Sequence, residues 1–334
     1  MHYIGLDVHK KTIAYCAKTV DGTIVDEGTI QALRPELEEW AAKRPAPWKG
    51  TLEATMFSGW IYDTLEPHSD DLAVAHPASL EAITRAKKKS DKLDSRKLSD
   101  LTRINMVPRV WMPPRPQREL RRLLRFRNRL VQQAVWNKNR IATLLMELGE
   151  PYTKSKLHTK KYFVPLVDQL EACETDLLLL GVSRDRVEAT LSIVREIENK
   201  LLSHPSLAKR VELLRTIPGV GAITALTWAL EIGDVKRFGK IDQAVSYCGL
   251  CSRLDESAGK SRRGPLSKQR NGHLQRVLIE AAKLAPRWNE QLARLHADEV
   301  ARGHRNQATV AVARKLVALL LAVERRGTGY ERRE

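Results

Sequence analysis

Apolar and polar positions change their spacing along the chain, and each change predicts a different kind of structure. Over residues 2–30 they alternate as in strands, through Tyr3-Ile4-Gly5-Leu6, Thr12-Ile13-Ala14-Tyr15-Cys16 and Thr23-Ile24-Val25, with Asp21-Gly22 marking a hairpin turn. A helix is expected over 35–42, a strand over 49–53, a helix over 58–65 and a short strand over 72–75. Hairpin strands followed by strands that alternate with helices predict a mixed α/β sheet. This unit closes near residue 110, at Met112-Pro113-Pro114-Arg115-Pro116, because a cluster of prolines continues neither a helix nor a central strand.

From Glu119 onward the spacing is helical. Leu120, Leu124, Val131, Val135, Ile141, Leu145 and Leu148 form one apolar stripe, and Val187, Leu191, Val194, Ile197 and Leu201 form a second. Each stripe needs a cover, which either an antiparallel fold-back or another subunit can supply. A lysine-rich polar loop over 152–161 separates them, and after Pro205 the chain is helical again, ending in an apolar helix over 310–323. The predicted organisation is an α/β unit over 1–112, a basic helical, coiled-coil arm over 113–204, and a mostly helical unit over 205–334. A length of 334 residues accommodates two or three such units.

Charge narrows the choice of partner. Lysine and arginine total 57 against 40 acids, a formal net charge of +17 with a sequence pI near 9.8. Cationic side chains gain affinity for nucleic acid by releasing its condensed counterions, so a polyanion, DNA or RNA, is the expected partner. The longest apolar run, 316–323, falls short of the roughly 18 residues that a membrane span needs. Asp7 also stands where a signal peptide would need its apolar segment, so a cytoplasmic protein without a membrane partner is expected. Cys16, Cys173, Cys248 and Cys251 are too scattered for a disulfide framework, and the C-x-x-C pair lacks the two further ligands of a zinc site.

Four segments could carry chemistry. Asp7 ends one apolar strand and Glu53 a second, while Asp91 and Asp94 share one face if their segment is helical. Taken singly, each is an ordinary surface acid. Converging at strand ends, the four could hold two divalent ions, for which hard Mg2+ (or Mn2+) suits carboxylate ligands, and so polarise a phosphodiester. The second segment, Ile217-Pro218-Gly219-Val220-Gly221, resembles the turn of a helix-hairpin-helix motif, where backbone N–H groups can meet phosphates at Gly219 and Gly221; a plain helix–helix turn is the other reading. Third, residues 257–273 contain no acid and read as a basic loop with several hydroxyls. A serine attacks phosphorus only where the phosphate charge is neutralised, and Lys260, Arg262, Arg263 and Lys268 could do that; spacing alone chooses no serine. Last, Arg121, Arg122, Arg125 and Arg129 belong to a helix whose many basic residues are set off by the single acid Glu119; a charged helix face is usually just solvated, but the one-sided sign argues for a nucleic-acid track.

Together these segments resemble the IS110-type DEDD transposases and the related Piv-type DNA invertases. The D-E-D-D tetrad is matched in Ile4-Gly5-Leu6-Asp7, Leu52-Glu53-Ala54-Thr55 and Ser90-Asp91-Lys92-Leu93-Asp94. The family's I-P-G-x-G turn, G-L segment, serine–glycine loop and S-K element are matched by residues 217–221, Gly249-Leu250, Glu256-Ser257-Ala258-Gly259 and Ser267-Lys268. The resemblance implies a RuvC-like (RNase H-like) N-terminal domain and a serine transposase domain, with the family's catalytic serine falling on Ser257. Ala258 stands where relatives carry glycine, and leaves Ser261 as a weaker rival. It further implies a covalent serine–DNA intermediate, dimers assembling to a tetramer on target and donor DNA, and a guide, or bridge, RNA. Two other functions stay open on the residues alone: a RuvC-like nuclease that uses water, and a DNA-binding protein without catalysis.

Overall fold

The computed structural model describes residues 1–84, 90–257, 260–303 and 305–331, with side chains throughout except at 84, 253–257 and 260–263. The chain divides into two compact units, Met1–Arg115 and Pro116–Glu334.

In the first unit β1 (His2–Val8), β2 (Thr12–Lys18) and β3 (Ile24–Gln31) make an antiparallel meander. After α1 (Arg34–Ala42), β4 (Trp48–Glu53) pairs parallel to β1; α2 (Ser58–Leu65) then leads to β5 (Asp71–Ala75), parallel to β4. Two further helices, α3 (Pro77–Thr84) and α4 (Asp91–Arg103), precede the two-residue strand β6 (Arg109–Val110), which closes the sheet in the order β3-β2-β1-β4-β5-β6. This is the mixed sheet that the alternation predicts.

Period-two alternation divides β1 between the two faces of the sheet. Ile4, Leu6 and Val8 point into a core shared with Leu37 and Trp40 of α1 and Ile61 and Leu65 of α2. Gly5 points the other way, against α4: a methyl at Gly5 would lie 2.1 Å from the Ser95 carbonyl oxygen and 2.3 Å from the Ser99 nitrogen. Only a residue without a side chain lets strand and helix approach so closely. Three polar contacts fasten α4 there: Ser99 Oγ donates to the Tyr3 carbonyl (2.8 Å), Thr102 Oγ1 to Thr51 Oγ1 (2.7 Å), and Lys18 Nζ to Asp100 (2.7 Å).

The second unit opens with two long helices, α5 (Arg115–Glu147) and, after the short α6 (Lys160–Asp168), α7 (Glu174–Leu202). Ile141, Leu144 and Leu145 of α5 cluster with Leu180 and Val187 of α7, while Leu124 and Leu130 share a core with Val194, Ile197 and Leu201. The late part of one helix thus meets the early part of the other, so the stripes cover each other antiparallel within one chain. Val135, expected on the stripe, is instead 49% exposed.

The core continues through α8 (Pro205–Arg215), α9 (Ala222–Ile232), α10 (Ile241–Tyr247), α11 (Gly272–Leu284), α12 (Glu290–Ala301) and α13 (Arg305–Arg326). The last helix bears on the expectation that no run spans a membrane. By length and composition α13 is long and apolar enough to cross a membrane, although its longest unbroken apolar run is short. In the structure Val312, Ala313, Leu316, Val317, Leu320 and Leu321 of α13 are the centre of the unit's core. A correction concerns the basic loop: its residues 260–266 form the second strand of a hairpin, β7 (Ser252–Ser257) with β8 (Lys260–Leu266). The loop reading considered the segment alone, whereas its hydrogen-bonding partner lies just upstream.

Candidate catalytic and metal site

β1 and β4 run parallel, with Leu6 beside Leu52 as their last paired positions, so Asp7 and Glu53 follow at neighbouring strand ends. Both project to the α4 side of the sheet, since Leu6 and Leu52 are both in the core on the opposite side. Carboxyl ends of parallel strands are the usual place for a site in such sheets. Asp7 is buried, 7% exposed, and Glu53 is half-buried.

α4 brings the other two acids to the same end. Ser90 caps the helix, its Oγ accepting from the Leu93 N–H (3.3 Å), and Asp91 and Asp94 occupy the first turn, where the helix dipole favours negative charge. Lys97 Nζ sits 3.0 Å from Asp94. The sequence reading missed one participant, His9. Its Nε2 lies 3.1 Å from Asp7 Oδ2 and 3.3 Å from Asp91 Oδ1, and the possible ligand atoms of Asp7, His9 and Asp91 all lie within 4.8 Å of one another. Its two-residue spacing from Asp7 was the available signal.

Electrostatics mark Asp7 as the centre of this group. Burial pushes its carboxyl above the ordinary 3.8; His9 offsets part of the shift, and the charges of Asp91 and Asp94 add to it. Buried and facing like charges, this carboxylate calls for a cation. The residues therefore fit a divalent metal ion: clustered oxygen donors, one of them desolvated, with an imidazole already drawn between two.

Comparison with known proteins gives the family. Residues 4–149 match the model of the IS110-type DEDD transposases, described as Transposase, and residues 211–297 match the Transposase IS116/IS110/IS902 family. The chain belongs to the IS110-type DEDD transposase family. Among its relatives, the transposase for insertion sequence element IS1328 of Yersinia enterocolitica is 25% identical over 98% of both chains. A putative transposase, y4qE, of Sinorhizobium fredii is 24% identical over 84% of this chain and 70% of its own. The transposase for insertion sequence element IS1111A of Coxiella burnetii is 25% identical over 72% of this chain and 68% of its own.

In this transposase the residues expected to meet nucleic acid have different surroundings. Arg122 and Arg129 of α5 are exposed, as is Lys268 beyond the hairpin. Arg121 and Arg125 are engaged inside the fold. Arg121 donates to the Leu230 carbonyl through Nε (3.0 Å) and Nη2 (2.8 Å), and Arg125 grips the Glu231 carboxylate through Nε (2.7 Å) and Nη2 (2.8 Å). Glu231 is fully buried, so these two guanidiniums compensate an internal charge, a role that the basic pattern of α5 alone did not reveal. Asn271, the cap of α11, completes the cluster with a 2.8 Å hydrogen bond to Glu231.

At the turn between α8 and α9, Gly219 adopts φ +90°, and an added methyl would lie 2.5 Å from Ala285 Cβ, so close packing explains this glycine. Gly221 caps α9 and faces open space. Ser257 pairs with Lys260 at the end of the β7–β8 hairpin. The side chains of Ser257, Lys260, Ser261, Arg262 and Arg263, and the whole of Ala258 and Gly259, lie outside the described residues.

Proposed function

We propose that this transposase cuts and rejoins DNA through a carboxylate-bound divalent metal and a nucleophilic serine, Ser257. The observation that carries the reading is the convergence of Asp7, His9 and Asp91, with Asp94 near enough to act on Asp7 and Glu53 at the adjoining strand end. Asp7, Glu53, Asp91 and Asp94 would hold Mg2+ or Mn2+. When bound, the ion supplies charge neutralisation at the phosphodiester.

The Ser257 oxygen forms a bond to phosphorus as the bond to a deoxyribose oxygen breaks; the serine proton is given up and the departing oxygen ends as a hydroxyl. The reverse step, with a different strand end, restores the serine and conserves the phosphodiester, so no nucleotide cofactor is consumed. Lys260, Arg262, Arg263 and Lys268 would neutralise the phosphate there, and Arg122 and Arg129 would follow the DNA backbone, with the N–H groups at Gly219 and Gly221 as further phosphate contacts. The family resemblance supports two further parts of the reading, a guide RNA that pairs with target and donor, and dimers that assemble to a tetramer.

A trapping experiment tests the proposal. Labelled element-end DNA, Mg2+ and the full chain are denatured mid-reaction, digested with protease and analysed by mass spectrometry. The expected product is a DNA-linked peptide carrying Ser257, absent from Ser257→Ala. Full recombination by Ser257→Ala would favour the water-using nuclease, and an adduct on Ser261 would move the nucleophile. Sequencing of co-purified RNA tests the guide.

A further inference from the structure

We propose that His9 is itself a metal-binding residue of this site, contributing an imidazole nitrogen that tilts the site toward Mn2+ over Mg2+. The inference rests on the carboxylate metal site proposed above and adds a residue outside the D-E-D-D tetrad.

Distances carry it. Donor atoms about 2.1 Å from an octahedral ion lie roughly 3.0 Å apart when adjacent and roughly 4.2 Å apart when opposite. His9 Nε2 is 3.1 Å from Asp7 Oδ2 and 3.3 Å from Asp91 Oδ1, and no pair in the triad exceeds 4.8 Å. These are the spacings of atoms that can share one ion after small adjustments. Asp7 and Asp91 come from two elements fixed against each other at Gly5, and His9 from the turn directly after β1, so the spacing belongs to the fold. His9 is also held by its own backbone: its N–H donates to the Thr12 carbonyl (2.9 Å), setting the turn that aims the ring back at the strand end.

Chemistry gives the preference its direction. Mg2+ favours oxygen donors and retains its waters, whereas first-row transition ions accept imidazole nitrogen readily. Replacing one oxygen donor by a neutral Nε2, with the ring proton on Nδ1, therefore favours Mn2+ in the competition. The ring is half-exposed, which leaves an ion and a phosphate room to approach.

The test uses Mn2+ as the probe on the full chain, read by pulsed electron paramagnetic resonance and by competition with Mg2+. The expected result is nitrogen hyperfine coupling from one imidazole, changed in pattern when the protein is labelled with 15N-histidine. In His9→Ala and His9→Gln that coupling disappears, Mn2+ affinity falls by about tenfold or more, a loss that removing even an outer partner of a metal site can bring, and Mg2+ affinity falls less, so the preference for Mn2+ declines. Mn2+ that binds in an Asp7-dependent way without nitrogen coupling in the unaltered protein refutes the role of His9 and leaves the carboxylate site standing. Mn2+ binding unchanged by Asp7→Asn removes both. The coupling is read first in the unaltered protein, so the outcome does not depend on the variants folding.

Discussion

Gly5→Ala tests whether the close approach of α4 to β1 builds the candidate metal site. The new methyl would lie 2.1 Å from the Ser95 oxygen and 2.3 Å from the Ser99 nitrogen, backbone atoms that no rotamer change can move. Ordinary contact begins near 3.4 Å, so strand and helix must separate by about 1.3 Å. That separation strains the bonds from Ser99 to Tyr3 and from Thr102 to Thr51. Overpacking of this kind costs about 1–3 kcal/mol, which in a unit of this size lowers the melting temperature by roughly 4–20 °C. Asp91 and Asp94 ride on the first turn of α4, so they would shift by about 1 Å from Asp7 and Glu53, and a misplacement of that size costs about 100-fold in rate. Strand cleavage and Mn2+ affinity would be measured below the variant's melting temperature, with circular dichroism confirming the fold. A Gly5→Ala protein that melts within about 2 °C of the original and cleaves DNA normally would refute the reasoning.

Two further substitutions separate charge from shape. Asp7→Asn should abolish cleavage yet raise the melting temperature of the metal-free protein at neutral pH: the Asp7 carboxyl is shifted above 3.8, so its stabilising, protonated form is fully present below 3.8 and lost as pH rises through the shifted value. Thermal unfolding in chelator would show this, and a less stable Asp7→Asn protein would contradict it. Glu231→Gln should cost about 3 kcal/mol, the low end for a broken buried pair, because it takes the charge partner from Arg121, whose side chain is 13% exposed, while Arg125, 41% exposed, keeps access to water. Burial raises the Glu231 carboxyl, but its bonds and proximity to Arg125, then Arg121, outweigh burial and hold it below the ordinary 4.5. Its contribution is therefore present above pH 4.5 and lost as pH falls through the depressed value, and the stability difference between original and variant should shrink on acidification. Calorimetry across pH decides, and a difference constant with pH would refute the charge assignment.

Several parts of the fold were legible because their causes are local. The hairpin turn at Asp21-Gly22, the alternation through β1, β2 and β4, the proline cluster at 113–116 and the helical stripes each follow from spacing within a few residues of chain. The four carboxylates were legible as motif positions, two at strand ends and two a helical turn apart. By contrast, the hairpin at β7–β8 depends on a pairing partner, and the apolar length of α13 on a whole-helix average that a search for unbroken runs passes over.

The sequence by itself determined the mixed sheet, the helical remainder, the cationic surplus and the family motifs, since period, charge and residue identity are properties of neighbours along the chain. Tertiary structure alone decided which groups meet. Gly5 shows as an unremarkable strand glycine until α4 is laid on it, and that contact places Asp91 against Asp7 and draws His9 between them. Arg121 and Arg125 carry the same charge as Arg122 and Arg129, and only the burial of Glu231, more than 100 residues later, turns the first pair inward. The physical reason is the same in both cases: close approach and desolvation depend on distance in space, which the spacing of residues along a chain does not encode.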